Sequence, residues 1–326
     1  MARILVTGGA GYVGSHCARH IAAAGHEVIT FDNLSQGHRE AVVGELIVGD
    51  LRDRSALESA LSRDIDAVMH FAALMAVGES VDMPVEYYDV NVGGTLNLLN
   101  AMTGAGCDKL VFSSTCAVYG VPAVVPITED TPHAPISPYG ETKAVVEAIL
   151  KHARRVGTVN SVCLRYFNAA GASEDGSLGE AHHPETHVIP VAFERLTAGK
   201  TFAVFGSDYP TPDGSCVRDY VHVLDLATAH HKALDMLLQG GQGGAWNLGS
   251  GRGYSVKELI EAVERVTGKQ FSDVLDEPRR PGDPPTLVSN PTKVQAELGW
   301  RAERDLDVIL ADAWRWYQNP KFGPDA

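Results

Sequence analysis

One stretch constrains this chain more than any other: Thr7-Gly8-Gly9-Ala10-Gly11-Tyr12-Val13-Gly14. It follows Arg3–Thr7, a short apolar run that reads as a strand, and it opens a helix expected over Gly14–Gly25. Gly8, Gly11 and Gly14 are spaced three and three. Between a strand and a helix, such spacing meets three needs: a tight turn, close approach of the backbone to a pyrophosphate at a helix N-terminus, and close packing of helix on sheet. A glycine-rich string alone is weak. At the first strand of an alternating domain it points to a bound dinucleotide, with Tyr12 and Val13 in the same turn.

The next segments alternate as that reading requires. Strands are expected at Glu27–Phe31, Glu45–Val48, Ala67–Phe71, Lys109–Ser113 and Val159–Tyr166. Helical spacing runs through Val81–Gly104, broken or entered near Pro84, and Ser137-Pro138 opens another helix with a serine cap and a first-turn proline. Strands that are continuously apolar, not alternating, belong to a parallel sheet covered on both faces. The expected fold is therefore α/β, a doubly wound parallel Rossmann-type sheet with a smaller C-terminal substrate-binding domain. Residues 1–170, with return segments near 221–248, read as the dinucleotide-binding domain and 171–326 mainly as the second unit. There Ala169–Thr186 reads as a loop. Ile189–Ala198, Val223–Gln239, Ser255–Thr267, Pro291–Leu298 and Leu306–Tyr317 read as helices, Phe202–Phe205 and Gly244–Leu248 as strands, and Pro278–Pro285 as a rigid turn.

The second strand closes on Asp32-Asn33. An acid there accepts hydrogen bonds from an adenosine ribose and repels a 2′-phosphate, so the expected cofactor is NAD and not NADP. Asp50 and Leu51, after the third strand, belong near the adenine.

Tyr139 and Lys143 lie four residues apart near a helix start and share a face. A lysine charge beside a phenol favours the phenolate, as does a positive nicotinamide ring. A phenolate takes a proton from an alcohol as hydride leaves its carbon. The fifth strand ends in Ser113-Ser114-Thr115, and Thr115 can relay or hold that proton. The neighbouring Cys116 reads as packing. His182, His183 and His187 read as solvated loop residues; the chemistry needs no metal and none is expected.

The formal charge of -14 argues against a nucleic-acid partner, which would need a basic surface. Five cysteines without a CxxC pair argue against a disulfide framework or a structural zinc site. The N-terminus does not read as a signal peptide, and no segment suits a membrane span. A cytoplasmic setting is the default expectation.

Eight stretches then carry a resemblance over essentially the full length: TGGAGYVGSH, HFAALMAVGES, EYYDVNVGGTLNLL, FSSTCAVYG, SPYGETK, LRYFNAAGA, FGSDYPTPDGSCVRDYVHVLDLA and RRPGDP. They resemble the extended short-chain dehydrogenase/reductase family and, within it, the nucleotide-sugar 4-epimerases. The resemblance implies tightly held NAD and reversible conversion of UDP-galactose to UDP-glucose through a 4-keto sugar. It implies that Tyr139, helped by Thr115, takes the proton of the 4-hydroxyl, and that Lys143 lowers the phenol's pKa and binds the nicotinamide ribose. Phe71, Ala72, Ala73, Ser113 and Tyr166 would line the cofactor. Asn168 would touch the diphosphate or sugar, and Arg218 and Arg280 would clamp phosphates. Phe205, Tyr220 and Asp283 would bound the uracil and ribose, with His187 and Val188 beside the substrate. A homodimer is implied, meeting through Met83–Gly104 and Ser137–Arg154.

Three positions depart from the family pattern. Thr115 stands where many relatives have serine, and Met75 where some have lysine. The resemblance places Leu287 at the edge of the sugar pocket, where some relatives have tyrosine and others a smaller residue, which leaves N-acetylated UDP-hexoses or UDP-pentoses as alternative substrates. A 4,6-dehydratase would carry Asp-Glu after the threonine; here Cys116-Ala117 follows. A protein that merely senses NAD would have no need of Tyr139, Lys143 and Thr115 together.

Overall fold

The computed structural model describes residues 1–280 and 283–324; Pro281 and Gly282 of the RRPGDP stretch lie outside the described residues. From the N-terminus come β1 (Arg3–Thr7), α1 (Tyr12–Ala23), β2 (Glu27–Asp32), β3 (Glu45–Val48), α2 (Arg54–Leu61) and β4 (Ala67–His70). The long helical span then divides into α3 (Val77–Asp82), α4 (Pro84–Tyr87), a π-helical stretch over Tyr88–Gly93, and α5 (Gly94–Ala105). Pro84 stands at the first position of α4, where its missing N–H costs no hydrogen bond. β5 (Lys109–Thr115), α6 (Pro138–Val156) and β6 (Asn160–Tyr166) follow.

The second half contains β7 (Asn168–Ala170), α7 (Val188–Thr197), β8 (Phe202–Phe205), β9 (Val217–His222), α8 (Val223–Leu238), β10 (Ala245–Leu248), β11 (Gly253–Ser255), α9 (Val256–Thr267), β12 (Val274–Glu277), β13 (Thr286–Leu287), α10 (Thr292–Leu298) and α11 (Leu306–Gln318). Besides the short β7, which enters the stretch from Ala169 read as a loop, and β11, β12 and β13, β9 was not foreseen. Its sequence, Val-Arg-Asp-Tyr-Val-His, shows no period-two apolar pattern, and it is a strand because β7, β11 and β13 all pair around it.

β1 to β6 and β10 form one seven-stranded sheet in the order β10-β6-β5-β4-β1-β2-β3. Every pair in it is parallel. Both faces are covered. Ile4 and Val6 of β1 join a core with Cys17 and Ile21 of α1 and Leu226 and Leu234 of α8. Leu5 points to the other face, among Leu57 of α2, Leu98 of α5 and Val146 of α6. The chain order reverses at the β1–β4 boundary, which is where such a sheet opens a crevice at its carboxyl edge. Beyond the sheet, β7 and β9 run parallel, β9 also pairs with β11 and β13, and α7, α9 and α11 share a separate core with β8.

α6 carries Tyr139 and Lys143, and its boundaries are set locally. Ser137 Oγ accepts from the Gly140 N–H at 3.2 Å, Pro138 takes the first turn, and Gly157 at φ 76° ends the helix. One further turn along lies Glu147, which is buried with Arg165 of β6. Arg165 donates to it twice, from Nε at 2.9 Å and from a terminal nitrogen at 2.6 Å, and a third nitrogen donates to the Tyr119 hydroxyl at 2.7 Å. This ion pair bolts α6 to the sheet. Removing one partner of such a pair leaves an uncompensated buried charge, at a cost of about 3–5 kcal/mol. Arg165→Ala is therefore expected to lower unfolding free energy by about that amount, measured by urea denaturation, whereas an exposed change such as Arg54→Ala is expected to move it by less than about 1 kcal/mol.

Candidate active site

The carboxyl ends of β1, β2, β4, β5 and β6 bring the expected cofactor residues to one edge. Gly8 sits at φ +72°, and a Cβ there would lie 2.4 Å from the Ala72 nitrogen. A Cβ on Gly14 would lie 2.1 Å from the Gly8 carbonyl oxygen. Both positions exclude any side chain. Gly11 differs: its Cβ would meet, among the described residues, only the Gly8 oxygen at 3.4 Å, an ordinary contact. The fold does not demand glycine there. What Gly11 does is keep the outer side of the turn open to close approach, at the N-terminus of α1, which no side chain caps and no acidic residue in its first turn occupies. These features fit a pyrophosphate.

Asp32 is buried and spans the turn. Its Oδ2 accepts from the Ala10 N–H at 3.0 Å and its Oδ1 from the Leu34 N–H at 2.8 Å. Burial pushes its pKa up, and those two N–H groups work against the shift. Asn33 donates to Asp50 at 3.0 Å, joining the ends of β2 and β3. Arg52 grips Asp50 and, despite some burial, holds its carboxyl well below the usual range. Leu51 is buried beneath, against Gly94. Phe71 and Ala72 both donate to the Thr7 carbonyl, at 2.8 and 3.1 Å, which sets the 71–73 segment beside the glycine turn. Ser113 Oγ and the Tyr166 hydroxyl are hydrogen-bonded partners at the ends of β5 and β6.

The catalytic candidates meet where α6 crosses the end of β5. Tyr139 has its phenol pushed up to about 12 by burial, while a hydrogen bond with Thr115 works the other way. Lys143 Nζ donates to the Ser113 carbonyl at 3.0 Å and lies 6.0 Å from the centre of the Tyr139 ring. Burial lowers its pKa to about 7, against the pull of Glu147. Lys143 was expected to favour the phenolate. In the chain by itself burial governs the phenol, with Thr115 opposing it, and the Lys143 ammonium is itself pushed down by burial. Cys116 is buried and its thiol is pushed up to about 12, as a packing residue's would be.

The substrate candidates come from β7, β9, β13 and the loops around them. Asn168 is the register partner of Tyr220, and Leu287 of Arg218. Arg218 and Asp283, assigned separate duties from sequence, are joined as an ion pair, so the Arg218 charge is already partly met. Arg280 lies over the Phe205 ring at 4.0 Å, with Arg279 over Tyr209 at 4.2 Å next to it. Leu287 packs against a cluster containing Cys116, Val118 and Phe167, next to the end of β5.

His187 is engaged elsewhere. It precedes α7, with Val188 as that helix's first residue, and its Nδ1 lies 2.8 Å from Glu180 and 2.9 Å from Glu185. His182 is within 3.2 Å of the same Glu180. Burial opposes their charge, but the two carboxylates outweigh it and raise the pKa of both rings. The reading of His182 as a solvated loop residue is corrected, since its side chain is only 11% exposed; His183 is exposed as expected, and the His187 side chain is 41% exposed but held by the two carboxylates. The signal was present as Glu-x-His-x-x-Glu-x-His over 180–187. Glu147 was also missed, although Tyr139, Lys143 and Glu147 recur every four residues on one face.

A doubly wound sheet, an uncapped glycine turn and a tyrosine–lysine pair at the strand ends together define an NAD-dependent enzyme. The profile of the NAD dependent epimerase/dehydratase family matches residues 4–249, and the chain belongs to that family. It is 51% identical over 323 residues, 98% of each chain, to UDP-glucose 4-epimerase of Rhizobium meliloti (strain 1021). Among solved structures it superposes with TM-score 0.93 on UDP-glucose 4-epimerase from Brucella ovis in complex with NAD, at 43% identity over 97% of this chain and 99% of the other. For UDP-glucose-4-epimerase from Stenotrophomonas maltophila, with bound NAD and formylated UDP-arabinopyranose, the TM-score is 0.94, at 38% identity over 98% of both chains.

Gly11 and Gly14 are expected to separate by experiment. Gly11→Ala should leave the melting temperature nearly unchanged while lowering the NAD retained through purification. Gly14→Ala should lower both, because its Cβ cannot coexist with the Gly8 carbonyl. Calorimetry and cofactor release with absorbance at neutral pH read the two effects apart.

Proposed function

We propose that this chain interconverts UDP-galactose and UDP-glucose at C4. The observation that carries the reading is the meeting of Tyr139, Thr115 and Lys143 at the strand ends, beside a turn shaped for a dinucleotide. NAD, held by the glycine turn and Asp32, would supply a hydride acceptor for the hydrogen at C4, so that the same hydride could be restored to the opposite face of the 4-keto sugar.

The chain's own residues handle the proton. Tyr139 accepts it from the 4-hydroxyl and gives it back, and Thr115 holds the hydroxyl in line. Burial holds the phenol up at about 12, and the neighbouring Lys143, 6.0 Å from the ring centre, is itself pushed down by burial. Bound NAD would bring the positive charge of its nicotinamide ring to the same place, and that charge favours the phenolate when a proton must be removed.

In this reading residues 1–170, with 221–248, hold NAD, through Gly8, Gly11, Gly14 and Asp32 and the residues beside them. The remainder of 171–326 holds the sugar nucleotide. Asn168 and Tyr220 meet the substrate from β7 and β9. Arg218 and Arg280 bind phosphate oxygens, and Phe205 and Asp283 flank the base and ribose. His187 has only its Nε2 edge to offer the substrate. Leu287, packed beside the end of β5, limits the sugar. Its intermediate size favours a second reading in which UDP-pentoses or N-acetylated UDP-hexoses are also turned over.

Among the described residues no helix is long and apolar enough to cross a membrane. We assign the chain to the cytoplasm and to a homodimer. Val81, Met83, Val85 and Leu96 are exposed apolar residues on the α3–α5 segment, and they support pairing through that face and α6.

Tyr139→Phe is expected to lower turnover of UDP-galactose about 10²–10⁴-fold, the usual share of a general base, with NAD still bound; near-normal turnover would rule out Tyr139 as the proton acceptor. Light scattering on the purified protein is expected to give twice the chain mass, and Val85→Asp to shift it toward the monomer.

A further inference from the structure

We infer that Glu180, His182, Glu185 and His187 form a site for one divalent transition-metal ion, zinc by preference, which staples the loop after β7 to the start of α7. The four side chains offer two imidazole nitrogens and two carboxylate oxygens, all within 4.8 Å of one another. The geometry points at a shared centre more than at hydrogen bonds. Four N···O approaches join the group, at 2.8 Å (His187 to Glu180), 2.9 Å (His187 to Glu185), 3.2 Å (His182 to Glu180) and 3.7 Å (His182 to Glu185). Only the His187–Glu185 contact has hydrogen-bond geometry. His182 Nδ1 is buried and without a hydrogen-bond partner, although a carboxylate oxygen lies 3.2 Å away. Ligands about 2.0–2.2 Å from a tetrahedral metal stand roughly 3.3–3.6 Å from each other; His182 lies 3.2 Å from Glu180 and 3.7 Å from Oε2 of Glu185, close to that spacing, and the tighter His187–Glu180 approach would open by about half an ångström to admit the ion.

The surroundings suit a closed structural site. Glu185 Oε1 accepts from the N–H groups of Thr186 and His187, both at 2.7 Å, which orients its other oxygen. The backbone of Glu180 is pinned by Trp316 Nε1 at 2.8 Å, and that of Ala181 by His38 Nε2 at 2.8 Å. Two neutral imidazoles and two carboxylates balance a divalent charge, and nitrogen with oxygen in four-fold array suits zinc over calcium or magnesium. The His182 ring meets the Tyr12 ring edge-on at 6.3 Å, and the Tyr12 hydroxyl donates to the Gly171 carbonyl at 2.6 Å. The ion would thus fix the 171–187 loop against the first residue of α1, next to the dinucleotide turn, while taking no part in the proton chemistry. A second group, His26, His231 and Asp235, offers three donors only.

The test uses untagged protein stripped by a chelator and dialysed. Titration with Co²⁺ is expected to give one ion per chain with the intense visible bands of four-coordinate cobalt. Zn²⁺ should displace it one for one and raise the melting temperature. His182→Gln should weaken Co²⁺ binding at least about a hundredfold and abolish the thermal shift, whereas His231→Ala should leave both intact. If circular dichroism finds His182→Gln unfolded, Glu185→Gln takes its place with the same expected loss. Absence of stoichiometric uptake by the unmodified chain at micromolar metal, uptake unchanged in the folded variant, or uptake lost in His231→Ala instead would each overturn the site and leave the four side chains as an internal ion-pair cluster.

Discussion

Everything at the strand ends depends on how closely α1 approaches the turn that precedes it. The Gly14 Cα packs on the Gly8 carbonyl so tightly that no Cβ fits, and Gly8 in turn packs on Ala72 after β4. Two backbone segments and a helix start are thereby drawn into contact without side chains between them. That contact aims the free N–H groups of α1 into the crevice and puts the β4 end beside them. Asp32 then ties the same turn to β2 through the Ala10 N–H. Glycine's entropic cost is accepted twice here for one geometric result.

The second constraint is charge held out of water. Lys143 and Glu147 are one helical turn apart on α6, and both are buried. Glu147 is committed to Arg165, so it raises the lysine's pKa only partly, and burial still wins. The ion pair keeps α6 in register with β6, which keeps Tyr139 opposite Thr115. Positioning and electrostatics of the proposed tyrosine–lysine pair therefore rest on a residue one turn away from it, held by the sheet.

Much of the first half was legible because its signals are local. Glycine spacing, continuous apolar strands and the Ser137-Pro138 helix start each need only a few residues to be read. The rest depends on distant partners. β9 is a strand because three others pair with it, not because Val217–His222 alternates. The raised Tyr139 pKa is a burial effect that a Tyr-x-x-x-Lys spacing does not contain. Arg218 and Asp283 are 65 residues apart in sequence, and nothing local says that they pair. The histidines of 182–187 read as loop residues until Glu180 and Glu185 fold back onto them.

The last strand of the main sheet arrives late. β10 pairs with β6 only after residue 245, and the α8 side chains that cover Ile4 and Val6 come just before it. During synthesis, then, the first 170 residues leave the ribosome with one face of their sheet covered by α1 alone. The loop after β7, α7 and β9 must emerge before that face is closed. A chain interrupted midway would hold the whole glycine turn yet expose a greasy sheet surface, the kind that chaperones and proteases recognise. The order of the chain thus ties closure of the sheet that carries the glycine turn to synthesis of three quarters of the molecule, through α8 and β10.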